Sequence, residues 1–295
     1  MTEVADALMA DETTDIVFCV NGENIPAHIV QFTFHSPVFK AMLSDVWIPE
    51  GENGEKPVIP IDDDRVSAEN FKLLLGFLYT GEVNITDDNA FALLNVAKMY
   101  DVESLVKRCE ELLKRNLNDE NVIDVAKRVS IFADSTIFKD AVDFLTKRTN
   151  LFLSPEKFIE LNADVLLEVV KCEEGNLICR PKIVDGISVL CNKLAGFPES
   201  QLFNMLLLWA KNECKIQQKE DNSENVKVIL EPFLPWIRFP TMTVEFLTTV
   251  VYPWKLLDSD TLLRIIVDAQ HVSQGIESNE SSFSRLKRGV VCSRH

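Results

Sequence analysis

The sequence has no apolar run long enough to cross a membrane. Its longest candidates, such as Leu202–Ala210, are far shorter than the roughly 20 residues that a membrane-spanning helix needs. The segment Met1–Asp15 is acidic and lacks the basic stretch followed by an apolar stretch that marks a signal or transit peptide. We therefore predict a protein without membrane contact that resides in the cytoplasm or the nucleus.

Cysteine is scarce and irregularly spaced. The seven cysteines are an odd number, which is typical of a reducing compartment, so we predict no disulfide. Cys172, Cys179 and Cys191 could supply thiolates to zinc, but structural zinc sites need a fourth ligand and closer pairs. Cys214 would complete the set only if the chain folded back, so we expect no bound metal and no cofactor.

Catalytic motifs are also lacking. The chain has four histidines, and no Ser or Cys nucleophile motif accompanies them. Asp15 and His28 could act together as a general base, but nothing else in the sequence indicates a reaction. Asp62–Asp64 and Asp87-Asp88 each precede a predicted helix, which favours turn and capping roles over a divalent cation site. We predict that the protein is not an enzyme.

Basic residues are few in the first part of the chain. Residues 1–120 contain 9 Lys and Arg against 23 Asp and Glu, a net charge of −14, whereas residues 121–295 contain 21 against 23, a net charge of −2. This asymmetry indicates two different modules. Because an acidic surface repels phosphate backbones, we predict no nucleic-acid partner. A basic protein partner and a simple solubilising role are both compatible with this charge.

Local patterns in the first module predict a hairpin, a short strand and several helices. Apolar residues flank Asn21-Gly22, a dipeptide that favours the tight turn of a β-hairpin. Ser36-Pro37 is typical of a helix start, with Ser as the N-cap and Pro at the first helical position. Val58–Ile61 indicates a strand, and Ser67 opens a helix that ends at Gly81.

Beyond Asn118 the pattern changes to helices. Apolar residues recur at helical spacing in successive segments up to Ala269, and strand signals nearly vanish. No fixed-period repeat indicates a solenoid or a propeller. We therefore predict an α+β fold class, with an N-terminal α/β domain followed by an all-helical domain.

The first module resembles the BTB (POZ) domain. The matching residues occur in order and at the spacing of that family. They are Asp15–Phe18, Ile25–His28, Ser36–Met42, Phe77–Gly81, Leu94, Ala97, Tyr100 and Cys109.

The second module resembles the BACK domain more loosely. Its best matches are Leu202-Phe203, Trp209 and Ile237–Met242, and the segment between Lys171 and Ser200 looks like an insertion. The predicted division is an acidic arm at 1–14, a BTB domain at 15–118, a BACK domain at 119–272 with an insertion near 172–199, and a disordered tail at 273–295. No kelch, MATH or complete PHR domain is expected within this sequence.

The resemblance implies an adaptor that links a cullin-3 ubiquitin ligase to a protein substrate. BTB domains that bind cullin-3 carry a hydrophobic-x-Glu motif, and the matching residues here are Ile48, Pro49 and Glu50, with Tyr100 as a further cullin-binding candidate. Ile48 would fill a slot on the cullin, and Glu50 would cap a cullin helix. The segment Asn118–Arg148 would extend this surface. Because the motif is shifted along the chain relative to the family, an ordinary solvated loop is the alternative.

The resemblance also implies a homodimer. Val4, Leu8, Pro37 and Val38 would pair with their symmetry mates in an isologous interface.

A polar pocket formed by Asp15 and His28 would lie at the dimer groove. The predicted partners are thus a second copy of the chain, cullin-3 and an unidentified protein substrate. A BTB scaffold that never contacts a cullin, such as a corepressor adaptor or a dominant-negative dimerisation partner, is the alternative function.

Overall fold

The computed structural model describes residues 13–44, 55–147, 154–171, 182–184, 187–189 and 198–274. The chain divides into two compact units, residues 1–117 and 118–295. The first unit combines a small sheet with helices and the second is mainly helical, which confirms the predicted α+β class. No helix within these ranges is long and apolar enough to span a membrane.

A three-stranded sheet belongs to the first unit. The central strand β1 (Ile16–Val20) pairs antiparallel with β2 (Glu23–Ala27) and parallel with β3 (Val58–Ile61). Asn21 and Gly22 form the turn between β1 and β2, with φ angles of 50° and 83°. Asn-Gly adopts positive φ at both positions with little strain, so the predicted hairpin is confirmed.

The helices of the first unit begin and end largely where side-chain chemistry predicts. They are α1 (Ile29–His35), α2 (Pro37–Met42), α3 (Ala68–Thr80), α4 (Ala90–Met99) and α5 (Glu103–Arg115). Ser36 Oγ accepts a hydrogen bond from Phe39 N over 3.0 Å at the start of α2. Ser67 caps α3 in the same way, and Gly81 ends that helix with a φ of 71°. Both predicted start signals are confirmed, whereas α1 has no counterpart among the predicted helices.

An aromatic cluster packs the sheet against the helices. Phe18 from β1, Phe32 from α1, Phe39 from α2 and Phe71 from α3 are all fully buried. The ring centroids of Phe18 and Phe32 are 4.7 Å apart, and those of Phe32 and Phe39 are also 4.7 Å apart. Tilted and edge-on contacts of this kind add to the free energy gained from burial alone.

The second unit consists mainly of helices. They are α6 (Val122–Val129), α7 (Thr136–Lys147), α8 (Pro155–Ile159), α9 (Ala163–Lys171), α10 (Glu199–Ile216), α11 (Ser223–Leu230), α12 (Val244–Phe246) and α13 (Ser259–Gln274). Helix α12 continues into a π-helical turn, Leu247–Val251, and a 3₁₀ turn, Tyr252–Trp254. A short antiparallel hairpin, β4 (Lys182–Val184) and β5 (Ile187–Val189), lies within the predicted insertion. This hairpin has no counterpart among the predicted elements.

In the second unit, the residues that carry the predicted BACK resemblance pack in the interior. Trp209 is buried, and its Nε1 donates to Leu161 O over 2.7 Å. Phe203 packs edge-on against Phe239, with ring centroids 5.9 Å apart. These contacts fix α10 against the segments before and after it.

Candidate protein-interaction surfaces

Helix α1 exposes large apolar side chains. Phe34 and Val30 expose 82% and 63% of their surfaces, whereas Phe32 between them is fully buried. Residues four apart lie on the same side of a helix, so Val30 and Phe34 share one face. Pro37 and Val38 at the start of α2 are exposed as well. We call these four exposed residues the α1–α2 face.

The N-terminus of α1 is capped from outside the helix. Its own N-cap residue, His28, makes no side-chain capping hydrogen bond. Ile29 N instead donates to Asp15 Oδ1, just before β1, over 2.8 Å. A carboxylate at this position satisfies an amide that has no partner within the helix, and it interacts favourably with the helix dipole.

Tyr79 from α3 provides a second anchor for α1. His28 N donates to Tyr79 Oη over 2.9 Å, and the same Oη lies 2.8 Å from His28 Nδ1. Tyr79 Oη thus contacts both the backbone amide and the ring of His28, which ties α3 to the N-terminus of α1. Burial raises the pKa of Tyr79, the hydrogen bond from His28 N opposes that shift, and the charge of Asp15 adds to it. The phenol therefore remains a donor at neutral pH.

The predicted polar pair, Asp15 and His28, is thus brought to one helix end. Tyr79 was not among the predicted site residues, and it is 51 residues from His28 along the chain. A half-buried Tyr needs a partner for its hydroxyl, but only the packing of α1 against α3 shows which partner it has.

The C-terminal end of α1 is fixed through Ser36. Its Oγ accepts from Phe39 N and also donates to Tyr100 O. The Tyr100 ring stacks on Phe39, with centroids 4.1 Å apart, and exposes 5% of its surface. Burial raises the pKa of Tyr100 to about 12, and the charge of Asp63 contributes. Tyr100 therefore supports the junction of α1 and α2 from the core, and it has little surface for the direct cullin contact predicted for it.

The second unit has exposed apolar side chains of its own. Ile131 lies in the turn between α6 and α7 and exposes 63% of its surface. It falls within Asn118–Arg148, the segment predicted to extend the cullin contact. Leu263 and Val267, four residues apart on α13, are also exposed.

Two of the three described cysteines are buried, and the described residues form no metal cluster. Burial raises the pKa of Cys109 to about 12 and also raises that of Cys214, and a thiol in this state is a poor nucleophile. Within the described ranges, no group of His, Cys, Asp and Glu is arranged to hold a metal ion. The three cysteines weighed as zinc ligands, Cys172, Cys179 and Cys191, lie outside those ranges.

The other predicted contact residues also lie outside the described ranges. They are Val4 and Leu8 of the dimer interface, and Ile48, Pro49 and Glu50 of the cullin-binding motif. Their roles stay predictions.

Comparison with known proteins matches the first unit to one family. The model of the BTB/POZ domain matches residues 5–117. Kelch-like protein 40 of Xenopus tropicalis is 24% identical over 290 residues, which covers 96% of this chain and 42% of the relative. BTB/POZ domain-containing protein 9 of Homo sapiens is 28% identical over 262 residues, which covers 88% of this chain and 37% of the relative. The chain thus spans less than half the length of these curated relatives.

Proposed function

We propose that this chain, which carries a BTB/POZ domain at residues 5–117, is a non-enzymatic adaptor protein. It forms a homodimer through the α1–α2 face and links a cullin-3 ubiquitin ligase to a protein substrate. The observation that carries the proposal is the exposed pair Val30 and Phe34, on a helix whose two ends are fixed by hydrogen bonds to distant residues.

The exposure of Phe34 supports a protein contact at this face. A single exposed apolar side chain is common on any surface, but adjacent ones mark interaction sites. Burying a side chain of this size contributes roughly 1.5–3 kcal/mol, and an isologous dimer makes each such contact twice. The fixed ends of α1 lower the entropic cost of binding, because the helix is already ordered before a partner arrives.

Light scattering on purified chain tests the dimer. Wild type should show twice the chain mass of 33.4 kDa. Phe34→Asp should be monomeric, because an isologous contact would bury two unpaired carboxylates. Val58→Asp is the matched control, since Val58 is an exposed valine of the first unit outside the α1–α2 face. A wild-type monomer at micromolar concentration would contradict the dimer, provided that circular dichroism shows a folded chain.

The cullin contact rests on the residues that resemble the family motif. Ile48 acts as an apolar anchor and Glu50 caps a cullin helix in this proposal. Ile131 of the second unit supports the proposed cullin contact, because it is exposed and lies in Asn118–Arg148. The resemblance implies that this segment extends the cullin-binding surface. Tyr100 has a supporting role beneath α2 and makes no direct contact.

Calorimetric titration against the N-terminal domain of cullin-3 tests this contact. Truncating a buried anchor typically costs at least ~2 kcal/mol, about a thirtyfold loss of affinity, so Ile48→Ala should weaken binding by that much and Ile48→Asp by more. Glu50→Ala should cost less, about 1 kcal/mol, because a partly exposed carboxylate at a helix end contributes that order.

Val58→Asp serves as the control for folding and dimerisation in this titration, since it alters neither the α1–α2 face nor Ile48 and Glu50. If Ile48→Asp binds as tightly as wild type, the motif assignment is wrong. If wild type does not bind at all, a BTB scaffold without a cullin contact becomes the better account.

A further inference from the structure

The sheet of the first unit is apolar on both of its faces. Ile16, Phe18 and Val20, which alternate along β1, are fully buried in the core. Val17 and Cys19 lie between them and therefore point to the opposite side of the sheet. A sheet face that contacts water normally carries polar side chains, so this second face is unusual.

The strand register identifies the neighbours of Val17 and Cys19. We call this set the outer sheet face: Val17 beside Pro26 and Val58, and Cys19 beside Asn24 and Pro60. Asn24 is its one polar member. Val58 exposes 47% of its surface and Pro60 is exposed, whereas Val17 and Cys19 are half-buried. The described helices therefore leave this face open to a partner.

One end of this sheet is acidic. Since β1 and β3 run parallel and β2 runs antiparallel to them, the start of β2 lies at the same end as the ends of β1 and β3. Glu23 begins β2, and Asp62–Asp64 directly follow β3. Four carboxylates thus belong to this end of the sheet.

Part of this acidic charge is available to a partner. Arg65 binds Asp63 through two hydrogen bonds of 2.9 and 2.7 Å, which lower the pKa of Asp63 to about 2. Glu23 is paired with Lys72. The aspartates on either side of Asp63 are exposed and form no ion pair among the described residues. The end of the sheet therefore keeps negative charge that is not neutralised.

We propose that the outer sheet face binds a short partner segment that carries several apolar side chains and has Lys or Arg at one of its ends. The apolar side chains cover Val17 and Val58, and the basic residues meet Asp62 and Asp64. This site is separate from the α1–α2 face and does not depend on dimerisation or on a cullin contact.

The size of the face favours a short segment over a second folded copy. With strands about 4.8 Å apart and about 3.3 Å per residue, the face covers on the order of 150 Å². A stable interface between folded proteins buries about 800 Å² on each partner. Pro26 and Pro60 lie in the two edge strands and lack a backbone donor, which disfavours addition of a strand at either edge. The segment therefore lies across the face.

The experiment uses random peptides displayed on phage and selected against the full chain. The enriched peptides should combine apolar residues with Lys or Arg at one end. Synthetic copies should bind Val58→Asp at least about tenfold more weakly than wild type, because the added carboxylate cannot be buried against apolar groups. The double variant Asp62→Asn with Asp64→Asn should bind severalfold more weakly and should lose the salt dependence of binding. Phe34→Asp, the matched control on the α1–α2 face, should bind as wild type does.

Cys19 gives an independent readout, because Cys109 and Cys214 are buried. Bound peptide should slow alkylation of Cys19 by iodoacetamide, as located by mass spectrometry of the digested chain. Enriched peptides without the apolar and basic pattern, or equal binding to Val58→Asp, would overturn the proposal. So would a fall in chain mass by light scattering for Val58→Asp, since a second copy would then be the occupant. If Val58→Asp fails to fold, Val58→Ala supplies the same comparison with a smaller expected loss.

Discussion

The two units differ in the environment of the apolar side chains that two of their helices carry. In the first unit, the apolar residues Val30 and Phe34 lie at the surface, on a helix held by Asp15 and Tyr79. In the second unit, Trp209 of α10 and the Phe233 ring that it contacts are buried. Both helices combine burial with hydrogen bonds, but α1 buries one residue, Phe32, whereas α10 buries several, including Phe203 and Trp209. Residues that carry a family resemblance, such as Trp209, are therefore mainly packing residues in this chain. Candidate contact residues such as Phe34 are identified by their exposure.

The largest expected effect tests whether burial positions α10. Trp209→Ala should lower the free energy of unfolding by about 3–5 kcal/mol, because it leaves a large cavity and removes the hydrogen bond to Leu161 O. Urea unfolding followed by circular dichroism measures this. Leu208→Ala, at the exposed neighbouring position, should change the free energy by no more than about 0.5 kcal/mol. Equal effects of the two substitutions would remove the contrast between the units.

The next effect tests the burial of Tyr100 beneath α2. Its pKa is raised from 10.0 to about 12 in the folded chain, so the folded state holds the phenolic proton more tightly than the unfolded state does. The associated stability is fully present below pH 10 and is lost as the pH rises towards 12. The loss should be on the order of 2–3 kcal/mol. Between pH 10 and pH 12, the free energy of unfolding should fall less for Tyr100→Phe than for wild type. Identical pH dependence of the two proteins would show that the ring is not buried.

A smaller effect tests the polar anchor at the N-terminus of α1. Tyr79→Phe should lower the free energy of unfolding by about 1–2 kcal/mol, because His28 N loses its acceptor in a part-buried site. Tyr252→Phe is the matched control, since Tyr252 is exposed on the second unit. Denaturant titration of both variants measures the difference. No loss for Tyr79→Phe would mean that this hydrogen bond does not help to position α1.

The smallest effect concerns the external cap. Asp15→Ala should cost about 1 kcal/mol, the usual contribution of a side-chain acceptor at a helix N-terminus. Asp15→Asn should cost less, because its side-chain oxygen can still accept from Ile29 N. Light scattering should also show weaker self-association for Asp15→Ala than for Asp15→Asn. If the two variants behave alike in both measurements, the cap does not position the α1–α2 face.

Local chemistry explains the parts of the fold that could be predicted. The Asn21-Gly22 turn, the caps at Ser36 and Ser67, and the stop at Gly81 each depend on residues within a few positions of one another. Such signals are readable because side chain and backbone interact directly.

Helix α1 could not be predicted from its own residues. Val30, Phe32 and Phe34 alternate with polar residues, a pattern typical of a strand. The hydrogen bonds at the N-terminus of this helix come from Asp15 and Tyr79, both distant in sequence.

By itself, the sequence determined the fold class, the hairpin and the BTB/POZ resemblance, because apolar spacing and turn residues act over short distances along the chain. The tertiary structure alone decided which apolar residues remain exposed. It buried Tyr100 and Trp209, and it exposed Phe34 and Val58. Burial depends on which elements pack against each residue, and those elements come from distant parts of the chain.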